Sequence, residues 1–319
     1  MVFTRIVSVI GLKKLTYLLP ILAGGVLMAC EDVINPNLQK ADPVLVVDAW
    51  ITNLPDSQKI FLSRTQPYFE NLLPPAVAGA TVTVTDQNGV VYSFIENKPG
   101  EYVWVPSGNN TFGQVGLRYQ LQISTGGEIF NAESVMGVAP PVDSITFYVQ
   151  KGNQFVDDLY LAEFWAKDPD EPGNSYWIRT YKNGILLNKP SEIVTAYDAG
   201  FSKGGNFGGV QFIAPIRRSI NPFDTDANGN FLSPYQVGDS VFVQLHSVTE
   251  AAFNFLNEVA VQTNRPGGFG ELFSTPLANV STNILNAQAA GSKAVGFFNV
   301  AAVTGLGRKF NSLDDLTEN

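Results

Sequence analysis

The chain has one cysteine, Cys30, and one histidine, His246, in 319 residues. A single thiol excludes an internal disulfide framework, so the fold must be held by its core alone. One imidazole excludes a histidine-rich zinc site and leaves His246 as the sole base a serine or cysteine hydrolase could use. The one G-x-S-x-G match, Gly200-Phe201-Ser202-Lys203-Gly204, lies in a glycine-rich loop and lacks the strand-to-helix pattern of a nucleophile elbow. Basic residues are scarce: 20 Lys and Arg stand against 29 Asp and Glu, with no basic cluster. That balance argues against nucleic acid and anionic lipid headgroups as partners, because both need basic patches. Long apolar runs are also missing. The stretch "LTYLLPILAGGVLMA" (15–29) is uncharged but shorter than the roughly 20 residues of a membrane span, and it contains Pro20, Gly24 and Gly25.

What precedes the cysteine has a different meaning. Arg5, Lys13 and Lys14 lead into that short apolar run, which ends in small residues. A positive start, a short apolar middle and a small-residue boundary make a secretory signal peptide. Leu27-Met28-Ala29-Cys30 resembles the bacterial lipobox, which implies cleavage after residue 29 and acylation (palmitate) of Cys30. Two or more acyl chains hold a protein firmly to a bilayer. Loss of residues 1–29 removes three bases and leaves 17 against 29 acids, a net charge of −12. Residues 30–42 read as a polar tether. Glu31 and Asp32 resemble the acidic export signal of Bacteroidetes lipoproteins, which implies an outer-membrane, lipid-anchored protein facing the cell surface.

From Pro43 onward the pattern is of strands. "VLVVDAWIT" (44–52) and "KIFLSRT" (59–65) are buried-strand runs, and "ATVTVTD" (80–86) alternates strictly. Asn88-Gly89 is a tight hairpin turn. "GEYVWV" (100–105) and "RYQLQIS" (118–124) follow, the latter with Tyr119, Leu121 and Ile123 pointing inward. Short strands at this spacing predict an immunoglobulin-like sandwich over 43–139. The paired prolines of "VAPPVDS" (138–144) mark a boundary. A second β-rich domain, a sandwich or barrel, is predicted over 142–312, with strands at "SITFYVQ", "LYLAEFWAK", "SYWIRTY", "DSVFVQLHSV" and "KAVGFFNVAAV". One helix is predicted over 248–262, opened by a Ser247/Glu250 capping box. The fold class is all-β, mainly antiparallel, with one helix.

The segments "LVVDAWITN", "LSRTQPYF", "GATVTVTDQNG", "GLRYQLQI", "GELFSTPLANVSTNI" and "AVGFF" occur in this order. By them the chain resembles a family of Bacteroidetes lipoproteins, domain of unknown function 4249, over essentially all of its length after Cys30. The resemblance implies an accessory, non-catalytic lipoprotein working beside a TonB-dependent outer-membrane receptor in ligand capture or uptake. It brings no catalytic residues.

Several residues are candidates for chemistry or contact. "DTDANGN" (224–230) places Asp224, Asp226, Asn228 and Gly229 like the opening of an EF-hand calcium loop, although Tyr235 stands where the bidentate glutamate belongs. It is also an ordinary polar turn, so the expectation is no cofactor, with calcium as the exception to watch. A glycoside hydrolase would need paired carboxylates, and Glu163 near Asp168, Asp170 and Glu171 is where to look. Asp143-Ser144-Ile145 and Asp239-Ser240-Val241 resemble acceptor triplets for O-glycosylation. For partner binding, Tyr68, Phe69, Leu72 and Leu73 sit in a proline-rich connection, and Phe201 and Phe207 in a glycine-rich loop. Both loops present apolar side chains to a partner or fold them back onto the core. A structural or adhesive surface role is the main alternative, and an extracellular hydrolase a weaker one.

Overall fold

The computed structural model describes residues 42–67, 70, 72–108, 111–154, 157–205 and 207–317. The signal peptide, most of the tether, Cys30, Tyr68 and Phe69 therefore lie outside the described residues.

Strands β1 (Leu45–Thr52), β2 (Gln58–Arg64), β3 (Thr81–Asp86), β4 (Val91–Lys98), β5 (Glu101–Trp104), β6 (Arg118–Thr125) and β7 (Glu128–Val135) come first. After the proline pair come β8 (Ser144–Gln150), β9 (Leu159–Trp165), β10 (Ser175–Lys182), β11 (Ile185–Leu186) and β12 (Val194–Tyr197). A single turn of helix, α1 (Ala214–Arg217), precedes β13 (Ser240–Val248) and α2 (Glu250–Thr263). The chain closes with β14 (Leu285–Asn286), β15 (Ala294–Ala301), β16 (Val303–Lys309) and β17 (Leu316–Thr317). The protein is all-β, with antiparallel pairing dominant.

The first seven strands, with β14 and β15 at the two ends, form one continuous nine-stranded sheet of order β14-β7-β6-β3-β4-β5-β2-β1-β15, not the two facing sheets of an immunoglobulin-like sandwich. Its ends curl toward each other. The Val300 amide on β15 donates to Ser134 Oγ on β7 at 3.0 Å. Asn283 Nδ2 donates to the Glu133 and Phe298 carbonyls, and its Oδ1 accepts the Phe298 amide, so one side chain spans the seam. The result is a nearly closed barrel. Hydrogen bonding also crosses the expected boundary at 139–142, because β15 pairs in parallel with β1 and β14 pairs with β7. Strand alternation cannot reveal this: a parallel partner can come from any distance along the chain.

Within the barrel, alternation sets the faces. Leu45, Val47, Ala49 and Ile51 of β1 are buried beside Tyr119, Leu121 and Ile123 of β6, while Asp48, Trp50 and Thr52 point the other way. Each fully buried side chain of this kind contributes ~1.5–3 kcal/mol. A second sheet, β11-β10-β13-β16 with β12 on the free edge of β10, and a three-stranded sheet, β17-β8-β9, enclose another core. Tyr176 and Ile178 of β10 and Val241, Val243 and Leu245 of β13 face into it.

The helix begins later than its capping signal suggests. Thr249 is the N-cap, its side chain accepting the Ala252 amide. Ser247 instead belongs to β13, where its hydroxyl accepts the Ala302 amide and donates to the Gly137 carbonyl. A serine that ties β13 to the backbone at Gly137 and Ala302 is unavailable as a cap. Helix α2 buries Ala252, Phe253 and Leu256. Phe253 joins Tyr197, Val248 and Phe297 in a small cluster against which Trp50, Trp177 and Phe255 pack. This aromatic knot ties the barrel, the second sheet and the helix together.

Candidate functional site

The outer face of the barrel and the unfilled face of the second sheet meet in a cleft of about 490 Å³. One wall carries Asp48, Trp50 and Thr52 of β1 with Lys59 and Phe61 of β2. The other carries Trp177, Arg179 and Tyr181 of β10 with Gln244 and His246 of β13. Local sequence explains the second wall. In "SYWIRTY" the alternate residues Tyr176, Ile178 and Thr180 are buried in the core, which turns Trp177, Arg179 and Tyr181 to the opposite face. Register then places Trp177 opposite His246, Arg179 opposite Gln244 and Tyr181 opposite Phe242.

The aromatic rings are fixed in place. Trp50 stacks on Phe297 with centroids 5.9 Å apart and meets Trp177 edge-on at 5.1 Å. Such pairs are worth ~0.5–1.5 kcal/mol each beyond simple burial. The Arg179 guanidinium lies over Trp177 at 4.8 Å and near the Tyr181 ring at 5.9 Å. Its Nε is shielded from water and finds no acceptor in the chain. An unmet buried donor costs ~1–3 kcal/mol.

The charged side chains that line the cleft are Asp48, Asp56, Lys59 and Arg179. His246 is buried, and burial together with the neighbouring Arg179 charge holds its pKa down to about 3. The imidazole is therefore neutral near pH 7, with Nε2 3.1 Å from Gln244 Oε1. That oxygen also accepts the Tyr181 hydroxyl at 3.2 Å. The cleft walls crowd the Asp48 carboxyl and push its pKa above the ordinary value, against the opposing pull of Arg179. Lys59 reaches out of the cleft to Glu101 at 3.3 Å.

A separate feature lies beyond α2. Gly268–Phe273 forms a 3-10 turn whose Phe269, Leu272 and Phe273 are 78, 75 and 80 % exposed. Leu277 just after it is exposed as well. Phe269 and Phe273 contact each other edge-on at 5.7 Å. The turn is braced by an Arg265–Glu271 ion pair and by Arg265 Nη1 donating to the Thr275 carbonyl. Large apolar side chains held out on a braced turn are available for contact with another molecule.

The residues singled out in the sequence are scattered. Leu72 and Leu73 are exposed, Leu73 by 90 %, and Phe201 is also exposed. Phe207 is partly buried: its ring packs against the second core and lies over Gly200 and Gly205, where a Cβ would overlap it. The glycines of that loop make room for a ring folded inward. Asp226 serves its own turn, its Oδ1 accepting the Asn228 and Asn230 amides, and Asn230 holds its pKa down. Asp224 pairs with Lys189. Among the described residues no group of three or more His, Cys, Asp or Glu is placed to hold a metal ion. Glu163 is buried and clasped by Arg217 Nε at 2.7 Å and Arg218 Nε at 3.1 Å. Asp168 is buried in contact with the Tyr176 hydroxyl at 2.6 Å.

Sequence reading misses the cleft and the Phe269 turn. The alternation of "SYWIRTY" puts a tryptophan, an arginine and a tyrosine on one strand face, which is the signal that could have found the former. "GFGELF" carries two phenylalanines and a leucine between glycines, which is the signal for the latter.

No curated protein matches the chain. The family described as "Domain of unknown function (DUF4249)" matches residues 31–306, so the chain belongs to that family.

Proposed function

We propose that the protein is a lipid-anchored, non-catalytic binding protein of the outer membrane, tethered through Cys30, facing the cell surface and docked on a TonB-dependent transporter. The observation that carries the reading is the braced turn with Phe269, Leu272 and Phe273 held out to solvent. Large apolar side chains exposed together on one braced turn suit contact with a partner. The lipobox at Leu27–Cys30 supports the anchor, and an acidic surface without basic clusters suits attachment by acyl chains over attachment by charge. Among the described residues no helix is long and apolar enough to cross a membrane. The cleft between barrel and second sheet is the place for a captured ligand, and it needs no cofactor.

Co-purification tests the docking. The tagged chain, solubilised from outer membrane in mild detergent, is expected to bring down a TonB-dependent receptor identified by mass spectrometry. Replacing Phe269, Leu272 and Phe273 by serine is expected to lose the receptor while the anchored protein stays in the membrane fraction. Recovery of the wild-type chain always alone would contradict the reading.

A further inference from the structure

Arg179 is the one arginine among the described residues without an oxygen partner. Arg217 and Arg218 share Glu163, Arg118 has Glu133, Arg265 has Glu271, Arg308 has Asp315, and Arg64 has the Pro43 carbonyl. Arg179 lines the cleft, yet its contacts are the rings of Trp177 and Tyr181, and its Nε has no acceptor. Rings cover the flat side of a guanidinium and leave its edge. That edge presents paired N–H donors whose spacing matches the two oxygens of a carboxylate.

The surroundings narrow the ligand further. Ring surface is already committed, since Trp50 lies on Phe297 and Trp177 carries Arg179. Little flat aromatic area is left for stacking a neutral sugar. His246 is buried and uncharged, Lys59 is engaged by Glu101, and Asp48 lines the same cleft. Asp56 is on the lining as well, so one uncommitted positive charge stands near two carboxyls, a balance that penalises a doubly charged anion more than a singly charged one.

We propose that the cleft between β1–β2 and β10–β13 binds a small organic monocarboxylate, gripped by the Arg179 edge, with its apolar body against the exposed Phe61 ring. This deepens the binding role proposed above by naming the ligand's chemistry, but it needs no receptor and is measured on the isolated chain.

The test is titration of the purified chain with benzoate and with glucuronate, followed by tryptophan fluorescence and calorimetry. Inorganic phosphate and glucose are the comparators. At least one carboxylate is expected to bind saturably, with phosphate and glucose weaker by about tenfold or more. Arg179→Met is expected to weaken carboxylate binding at least about tenfold, the loss of a charge-assisted hydrogen bond. Asp48→Asn, which removes one competing charge, is expected to strengthen it. If Arg179→Met does not fold, Arg179→Lys decides: it keeps the charge, loses the paired edge and is expected to bind several-fold more weakly. Wild-type protein that shows no saturable response to either carboxylate at millimolar concentration overturns the proposal. So does phosphate or glucose binding as tightly, or undiminished affinity in a folded Arg179 variant. Such failures would remove the ligand class and leave the receptor test untouched.

Discussion

Asp168 gives a sharp test of how burial acts in this fold. It is 1 % exposed, Oδ1 accepts the Tyr176 hydroxyl, and Oδ2 is buried with no partner. Burial is the largest influence and carries its pKa from 3.8 to about 6, with the Asp198 charge adding to the rise and the Tyr176 and Gly209 hydrogen bonds opposing it. The folded carboxyl thus keeps its proton to higher pH than the unfolded one. Its contribution to stability is complete below about pH 3.8 and is lost as pH rises through about 6. At ~1.4 kcal/mol per tenfold change in proton affinity, the loss amounts to roughly 3 kcal/mol. About half of it falls between pH 5 and pH 7.5. Asp168→Asn removes the titration while keeping the size of the side chain. Urea denaturation of both proteins across that range is expected to show the variant gaining on the wild type by ~1–2 kcal/mol as pH rises. A stability difference that stays flat with pH would refute the reasoning.

Other substitutions probe the frame around the cleft. Gly296 lies at φ +96 on β15, and a Cβ there would overlap the Val47 carbonyl oxygen of β1. Gly296→Ala is expected to cost more than the ~1–2 kcal/mol of backbone strain alone, and chemical denaturation measures it. Glu163→Ala strips the shared carboxylate from Arg217 and Arg218 and is expected to destabilise by ~3–5 kcal/mol, read as a lower urea midpoint. Thr249→Ala removes the helix cap and is expected to cost ~1 kcal/mol in the same assay.

Much of the strand content was legible because alternation is a local signal. β6, with Tyr119, Leu121 and Ile123 inward, and the Asn88–Gly89 hairpin follow the pattern directly. What the pattern hides is pairing at long range. The parallel partnership of β1 with β15 joins Leu45 to Ala294, and the Asn283 seam depends on it. Without these contacts the same strands read as a two-sheet sandwich. Capping likewise has a tertiary override, since Ser247 is occupied by the Gly137 and Ala302 backbone. The candidate residues fared unevenly for a related reason. Apolar side chains in loops look alike in sequence, and the fold sends Phe207 inward while leaving Leu73 and Phe273 outside. The cleft needed two walls from distant strands, so neither Asp48 nor Arg179 was conspicuous alone.

Fatty-acid labelling of the growing cell most directly probes attachment at the envelope. With a clickable palmitate analogue supplied, the wild-type protein is expected to carry the label and sediment with outer membrane. Cys30→Ser is expected to lose both properties. An unlabelled wild-type protein, or one released into the culture fluid, would contradict the account.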